Sequence, residues 1–147
     1  MIKKVISGGQ TGVDRIGLEV AKELGIPTGG TAPKGYRTEY GQDPTLKKFG
    51  LEEDDSSGYT NRTALNVANS DATVLFGDMH SAGSRQTIAM LTQYRKLYRV
   101  NPTINELRDF IAQYDIRILN VAGNRGSKLS DAQKIHITNV LRMGLKY

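Results

Sequence analysis

The chain changes from a strand pattern to a helix pattern at Ser7-Gly8-Gly9-Gln10-Thr11-Gly12-Val13-Asp14-Arg15. The apolar residues Ile2, Val5 and Ile6 precede this stretch, and apolar residues at helical spacing follow it. Open α/β sheets bind ligands where strands turn into helices. Glycine lets a ligand approach the backbone, and the helix that follows offers unpaired N–H groups and the positive end of a dipole. The stretch therefore predicts an anion-binding turn, and the alternative is a tight turn without a ligand.

Length and composition predict one ordinary soluble domain, residues 1–147. Hydrophobic residues make up 38% of the chain and charged residues 24%, and no apolar stretch approaches the ~20 residues that a membrane helix needs. Residues 1–6 lack the apolar core and cleavage site of a secretory signal. The chain has no cysteine, which fits a reducing compartment, so we expect a cytoplasmic location.

The formal charge of +5 favours anionic partners only mildly, because basic and acidic residues are interleaved along the chain. The densest basic cluster is Arg95, Lys96 and Arg99. It lies near a predicted helix end, where the helix dipole favours cations, so we interpret it as structural and not as a nucleic-acid surface. Neither His80 nor His136 has a second histidine at i+3 or i+4, and we predict no metal site.

Hydrophobic periodicity predicts strands that alternate with helices. The predicted strands are the apolar run ending at Ile6, residues 26–33, residues 72–76, a weak strand closing at Val100, and residues 116–121. The predicted helices are residues 13–24, residues 61–69 with Thr60 as cap, residues 85–98, a segment after a Thr103–Glu106 capping box, and a segment after a Ser130–Gln133 box that ends near Gly144. The polar residues 34–59 predict a long loop that forms a lid or a pocket wall. This alternation predicts a Rossmann-like, doubly wound α/β fold with a mainly parallel sheet flanked by helices.

The turns that follow the strands gather at one edge of such a sheet. This edge would bring together residues 7–15, 31–40, 77–85 and 122–128, which are all rich in glycine and polar side chains. Each segment alone has the composition of an ordinary turn. Four of them on one edge predict a pocket.

Roles follow from the chemistry of these residues. Backbone N–H groups of 8–12 and 83–85 are candidates to hold a phosphate, with hydroxyl groups and arginines adding donors and charge. Asp14 and Arg15 are ambiguous, because an aspartate in a first helical turn also stabilises the helix. We assign no catalytic residue and no metal ligand. The candidate ligand-binding set is Gly8, Gly9, Gln10, Thr11, Gly12, Asp14, Arg15, Pro33, Lys34, Gly35, Arg37, Glu39, Arg62, Asp78, Ser81, Gly83, Ser84, Gly123, Asn124 and Arg125.

Over most of its length the chain resembles the molybdenum cofactor carrier family, within the Rossmann-like superfamily that includes the Lonely Guy phosphoribohydrolases and DNA-processing protein A. The residues that carry the resemblance are Ser7 to Arg15, Gly30, Pro33-Lys34-Gly35, Arg37, Glu39, Tyr59, Arg62-Thr63, Asn66, Asp71-Ala72-Thr73 and Leu119-Asn120-Val121-Ala122-Gly123. The resemblance implies a cofactor carrier whose cargo is molybdopterin, a phosphate-bearing pterin, and it implies a homo-oligomer. Where the hydrolytic relatives carry a catalytic glutamate, this chain reads Ser81-Ala82-Gly83-Ser84-Arg85-Gln86-Thr87. Gln86 cannot act as a general base.

The first hypothesis is therefore non-enzymatic binding of a phosphate-bearing nucleotide or pterin, with the long loop closing over it. A second is sequestration or sensing of a nucleotide signal, as related defence-system domains do. A third is a nucleoside monophosphate phosphoribohydrolase with Glu39 or Asp14 as acid or base and Arg15 or Arg37 on the phosphate. The fourth is a single-strand nucleic-acid binder, with bases stacked on tyrosines; its candidates are Tyr36, Tyr40 and Tyr59.

Overall fold

The computed structural model describes residues 1–56 and 58–146. In chain order the elements are β1 (Lys4–Ile6), α1 (Val13–Glu23), β2 (Thr28–Gly29), β3 (Thr31–Ala32), β4 (Arg37–Thr38), β5 (Gly41–Gln42), a 3₁₀ helix (Pro44–Phe49), β6 (Glu52–Glu53), α2 (Tyr59–Ala68), β7 (Ala72–Phe76), α3 (Ala82–Gln93), β8 (Leu97–Val100), α4 (Ile104–Gln113), β9 (Ile118–Gly123), a 3₁₀ turn (Gly126–Lys128) and α5 (Asp131–Leu145).

Five strands form the central sheet in the order β2-β1-β9-β7-β8. Each neighbouring pair is parallel, with Ile6 opposite Asn120 and Phe76 opposite Gly123 at the carboxyl edge. Helices connect the strands, so the predicted Rossmann-like, doubly wound fold is confirmed.

Alternate side chains of the strands enter two different cores. Val74 and Phe76 of β7 pack with Val121 of β9 in the larger core, which also receives apolar residues of α1, α4 and α5. Leu75 points the other way and packs with Val67 of α2 and Leu91 of α3. This period of two is what a strand covered on both faces requires. The strand ends are therefore flanked by α1 and α5 on one side and by α2 and α3 on the other.

The predicted strand at 26–33 is wrong as a single element. It is divided between β2, which joins the central sheet, and β3, which pairs with β6 in a separate two-stranded sheet. Gly30 lies at the division with φ of 124°, and a Cβ at this position would lie 2.1 Å from the carbonyl oxygen of Ser7. The chain bends there because only glycine fits so close to the backbone that follows β1.

The predicted long loop at 34–59 is also corrected, although Ser57 lies outside the described residues. Its described part contains β4, β5, β6 and a 3₁₀ helix, and Tyr59 already belongs to α2. Leu46, Phe49 and Leu51 pack with Leu18 of α1 and Ala32 of β3 in a small core of their own. Three large apolar side chains were enough to fold a segment that is otherwise polar, since burying each one contributes about 1.5–3 kcal/mol.

Other helix and strand ends differ from the prediction by a few residues. Helix α2 begins at Tyr59 with Gly58 as N-cap, so the predicted Thr60 cap is wrong. Helix α3 ends at Gln93, because Arg95 takes φ of 54° and the chain re-enters the sheet as β8. The predicted strand 116–121 is shifted to β9 (Ile118–Gly123). Both predicted capping boxes are confirmed.

Two residues of the basic cluster have contacts within the fold. The Arg99 guanidinium lies 4.3 Å from the centre of the Phe110 ring, and Lys96 Nζ donates to the Ser70 carbonyl oxygen at 2.8 Å. Within the described ranges, no helix is long and apolar enough to cross a bilayer.

Candidate functional site at the carboxyl edge of the sheet

The turn between β1 and α1 is held by two glycines with positive φ, Gly9 at 75° and Gly12 at 82°. A Cβ at Gly12 would lie 2.4 Å from the Asn124 carbonyl oxygen and 2.5 Å from the Gly126 nitrogen. Since only glycine tolerates both the conformation and this approach, the sequence pattern at 8–12 brings the turn after β9 directly against the turn after β1.

The backbone N–H groups of this glycine turn already donate to the protein's own oxygen atoms. Gly9 N donates to Ser7 Oγ at 3.2 Å, and Thr11 N donates to Gln10 Oε1 at 3.0 Å. Gln10 N donates to Asp14 Oδ2 at 3.2 Å. A ligand would reach these three N–H groups only by displacing those side chains, so side-chain donors around the turn become the more accessible partners for an anion.

Asp14 is a buried carboxylate beneath the turn, with 4% of its side chain exposed. Burial raises the pKa of Asp14, and the neighbouring Arg62 guanidinium and the N–H groups of Gln10 and Gly8 oppose that rise. Arg62 Nη1 lies 3.2 Å from Asp14 Oδ2. Two elements that are 48 residues apart in sequence, α1 and α2, are thereby joined by one ion pair.

The Arg62 guanidinium lies directly over Gly8, where a Cβ would be 1.7 Å from Nη1. Its Nε is buried and has no hydrogen-bond partner among the described residues. An unpaired buried N–H costs about 1–3 kcal/mol, so this donor is a candidate for a ligand oxygen.

A second arginine shares an aromatic ring with Arg62. The Tyr59 ring centre lies 5.5 Å from the Arg62 guanidinium carbon and 5.9 Å from that of Arg37. No ion pair involves Arg37 in the part of the chain that the structure describes. Of the two guanidinium groups near the Tyr59 ring, that of Arg62 pairs with the carboxylate of Asp14, and that of Arg37 has no ion-pair partner among the described residues.

Asn124 joins the turn after β9 to the turn after β7. Its Oδ1 accepts from Asp78 N at 2.5 Å, and its Nδ2 donates to the Asp78 carbonyl oxygen at 3.0 Å. Nδ2 also lies 3.2 Å from Ser81 Oγ and 3.4 Å from Ser84 Oγ at the start of α3. The same α3 turn is open at Gly83, where a Cβ would have no neighbour within 4 Å.

Glu39 connects the turn at 31–40 to two of the others. Its backbone N donates to Gln10 Oε1 at 2.9 Å, and its carboxylate accepts from Ser127 N at 3.2 Å and Ser127 Oγ at 3.1 Å. Burial raises the pKa of Glu39, but the hydrogen bonds from Ser127, Tyr40 and Thr11 outweigh it and lower the pKa below its ordinary value. Together with the bond from Gly126 N to Thr11 Oγ1 at 3.0 Å and the bonds between Asn124 and Asp78, these contacts join all four predicted turns.

Several residues of the predicted site contact residues outside the four joined turns. Arg15 pairs with Asp43 at 2.9 Å and reaches Thr45 at 3.1 Å, in the segment after β5. Lys34 N donates to the Ser56 carbonyl oxygen and Gly35 N donates to Glu53, which places both beside β6. Three other members of the predicted set have contacts within the protein itself. Pro33 is buried, and the Gly123 backbone packs against Phe76. Arg125 is half exposed, and its Nε lies 3.8 Å from Glu39 Oε2.

Sequence reasoning left three residues of this edge out of the candidate set, although it had quoted all of them. Tyr59 appeared as a marker and a stacking candidate, while Ser7 and Ser127 lie inside two of the predicted turns. Their signal was adjacency to glycine. It could not show that Ser7 Oγ would accept from Gly9 N, or that Ser127 would hold Glu39.

Two surface depressions are lined by residues outside the candidate set. One is a groove of about 260 Å³ along β1, lined by Lys4, Ile6, Gly30, Thr31, Glu52 and Asn66 among others. The other lies along the outer side of α5. Neither depression includes a residue of the candidate set.

Comparison with known proteins shows which family the chain belongs to. The chain is 34% identical to a protein from Syntrophus aciditrophicus SB that is named "Putative molybdenum carrier protein"; the crystal structure of that protein matches with a TM-score of 0.83, and the match covers 97% of this chain and 94% of the other. No curated protein matches the chain. The family model described as "Circularly permutated YpsA SLOG family" matches residues 5–143. The resemblance seen in the sequence is confirmed, and the protein belongs to the circularly permutated YpsA SLOG family.

Proposed function

We propose that the protein binds a phosphate-bearing nucleotide or pterin at the carboxyl edge of the sheet and does not turn it over. The observation that carries this proposal is the pair of arginines at the Tyr59 ring, where Arg62 pairs with Asp14 and Arg37 has no ion-pair partner among the described residues. Two guanidinium groups close to one ring repel each other, and a phosphate would remove that excess charge through charge-assisted hydrogen bonds. The unpartnered Nε of Arg62 supports the same interpretation.

The name of the Syntrophus aciditrophicus relative supports a carrier role for this chain too. Molybdopterin would suit such a surface, because its phosphate requires hydrogen-bond donors and not metal ligands. The described residues offer hydroxyl, amide and guanidinium donors at this edge, such as Ser81, Ser84, Asn124 and Arg37. A nucleotide held for sequestration or sensing would use the same donors, so the identity of the cargo separates the two roles.

The acidic residues of the site favour binding over hydrolysis. Glu39 accepts two hydrogen bonds from Ser127, and Asp14 is engaged by Arg62. Gln86, at the position of the hydrolase glutamate, donates from Nε2 to Thr60 Oγ1 at 2.9 Å and so links α3 to α2. To transfer a proton to or from a substrate, each of these side chains would first have to lose its hydrogen bond or ion pair within the protein.

The first test identifies what the purified protein carries. Freshly purified protein is denatured, and the released small molecules are analysed by mass spectrometry. We expect a phosphate-bearing compound: a pterin phosphate supports the carrier role, and a nucleotide supports sequestration or sensing. In parallel, the protein is titrated with nucleoside monophosphates by calorimetry, so that an empty preparation that also binds no nucleotide contradicts the proposal.

The best blocked variant is Gly83→Glu, with Gly83→Gln as its matched neutral control. Position 83 has open space for a side chain, whereas a side chain at Gly9 would meet Leu46 and Leu51 within 3 Å and adopt an unfavourable φ. We expect the glutamate to repel the phosphate and abolish release of the compound, while the glutamine variant retains most of it. Accumulation of free base from nucleoside monophosphates, at a rate that Glu39→Gln abolishes, would instead establish the hydrolase alternative.

A further inference from the structure

The carboxylate of Asp14 occupies the place where a glycine turn would otherwise receive an anion. It accepts from the backbone N–H groups of Gln10 and Gly8 and from Arg62 Nη1. Oriented N–H groups of this kind form the anion-binding concavity of phosphate-binding turns. In this chain, the concavity already contains a negative charge supplied by α1.

We propose that Asp14 is a specificity-determining residue, a resident anion that neutralises Arg62 and thereby limits the negative charge that the site accepts from a ligand. The inference rests on the proposed function for the nature of the ligand. The charges that limit the ligand belong to three residues, Asp14, Arg62 and Arg37.

The charges around Asp14 can be counted by element. From α2 it faces Arg62, and from the glycine turn it faces only backbone N–H groups. Arg37 reaches the same Tyr59 ring from β4 without a carboxylate partner among the described residues. With Asp14 ionised, the group carries one uncompensated positive charge; with a neutral residue at position 14 it carries two. Burial raises the pKa of Asp14, whereas the Arg62 guanidinium and the N–H groups of Gln10 and Gly8 favour the ionised carboxylate.

Asp14→Asn keeps the size of the side chain and removes its charge, and inorganic phosphate is a probe that does not depend on the true cargo. Phosphate is titrated into ¹⁵N-labelled protein at fixed pH and ionic strength, and affinity is read from the chemical shifts of the turn amides and of Arg62 Nε–H. We expect Asp14→Asn to bind phosphate about 10-fold more tightly than wild type, a middle value for coupling between two groups. Arg62→Gln should weaken binding by a similar factor.

Asp71→Asn is the matched control. Asp71 Oδ2 accepts from the backbone N–H groups of Arg117 and Ile118, as Asp14 accepts from its turn, but no arginine side chain pairs with it among the described residues. Phosphate affinity in this variant should equal that of wild type. A purely structural role for Asp14 predicts weaker or unchanged phosphate binding in Asp14→Asn, and either result overturns the proposal.

A second measurement uses only the wild-type protein, so it remains valid if the Asp14→Asn variant does not fold. The Arg62 Nε–H signal, which has no described partner in the protein, should shift on phosphate addition, and a signal that ignores phosphate overturns the proposal. If phosphate behaves as expected while nucleotides and pterin phosphates do not bind, the proposed function fails and the role of Asp14 stands.

Discussion

Glu39 is the residue whose ionisation should be visible in the stability of the protein. Its side chain is 7% exposed, and Ser127 donates two hydrogen bonds to the carboxylate. Because these bonds lower the pKa of Glu39 below 4.5, the ionised form stabilises the fold above pH 4.5. That contribution is lost as the pH falls through the lowered pKa.

We expect Glu39→Gln to reduce the free energy of unfolding by about 1–3 kcal/mol at pH 7, the usual range for removing one partner of such a bond. Urea unfolding at pH 7 and at several values below 4.5 measures this difference, which should shrink toward the acid side. Glu19→Gln breaks only an exposed pair with Arg15 and should cost about 0.5 kcal/mol or less at either pH. An equal loss at all pH values would refute the role of the Glu39 charge.

Residue chemistry was predictable from sequence where it depended on neighbours in the chain. Gly9 and Gly12 were expected to form a turn, and their positive φ angles confirm it. The partners of Asp14 and Arg15 were not predictable, because Arg62 and Asp43 approach from segments that are distant in sequence. The ligand roles of these residues stay predictions.

Among the elements, the segment from β3 to β6 has the clearest energetic consequence. Leu46 is fully buried in its small core, and its methyl groups lie against Gly9. Leu46→Ala should destabilise the protein by about 2–5 kcal/mol through lost burial and a cavity. It should also loosen the glycine turn and weaken ligand binding.

Urea unfolding and hydrogen exchange of the Gly9 amide measure both effects of Leu46→Ala. Leu65→Ala removes a 36% exposed leucine of α2 and serves as the control, with a loss of about 0.5 kcal/mol or less. If Leu46→Ala unfolds like this control, the segment does not support the turn.

Strands and helices with strong local signals were predictable, as the exact agreement at Ala72–Phe76 and the two capping boxes show. The segment at 34–59 was not, because its strands are two residues long and its order comes from tertiary burial of a few side chains. Local propensity carries little information about elements of that length.

At the scale of the whole molecule, the net charge of +5 comes from basic and acidic residues that are interleaved along the sequence. Arg99 is stacked on Phe110 and Lys96 is bonded to Ser70, so two of the three residues of the densest basic cluster have contacts within the fold. We expect labelled single-stranded oligonucleotides to show no mobility shift with the protein at physiological salt. A shift that weakens steeply as salt increases would contradict this expectation and favour a single-strand binder.

Assembly is a separate prediction, implied by the family resemblance. Sedimentation velocity over a range of protein concentrations should show a species heavier than the 16.2 kDa chain. A single monomeric species at all concentrations would refute it.

The pairing of Asn124 with Asp78 affects how cargo would leave. It ties the end of β9 to the turn after β7, and Gly83 beside them is open to solvent, so a ligand bound as we propose would lie on an exposed surface near α2 and α3. A ligand bound on such an exposed surface would dissociate without unfolding or hinge movement of the protein. If the protein is a carrier, an acceptor protein could contact the cargo while it is still bound, and we would expect the rate of transfer to rise with acceptor concentration instead of reaching the limit set by spontaneous release.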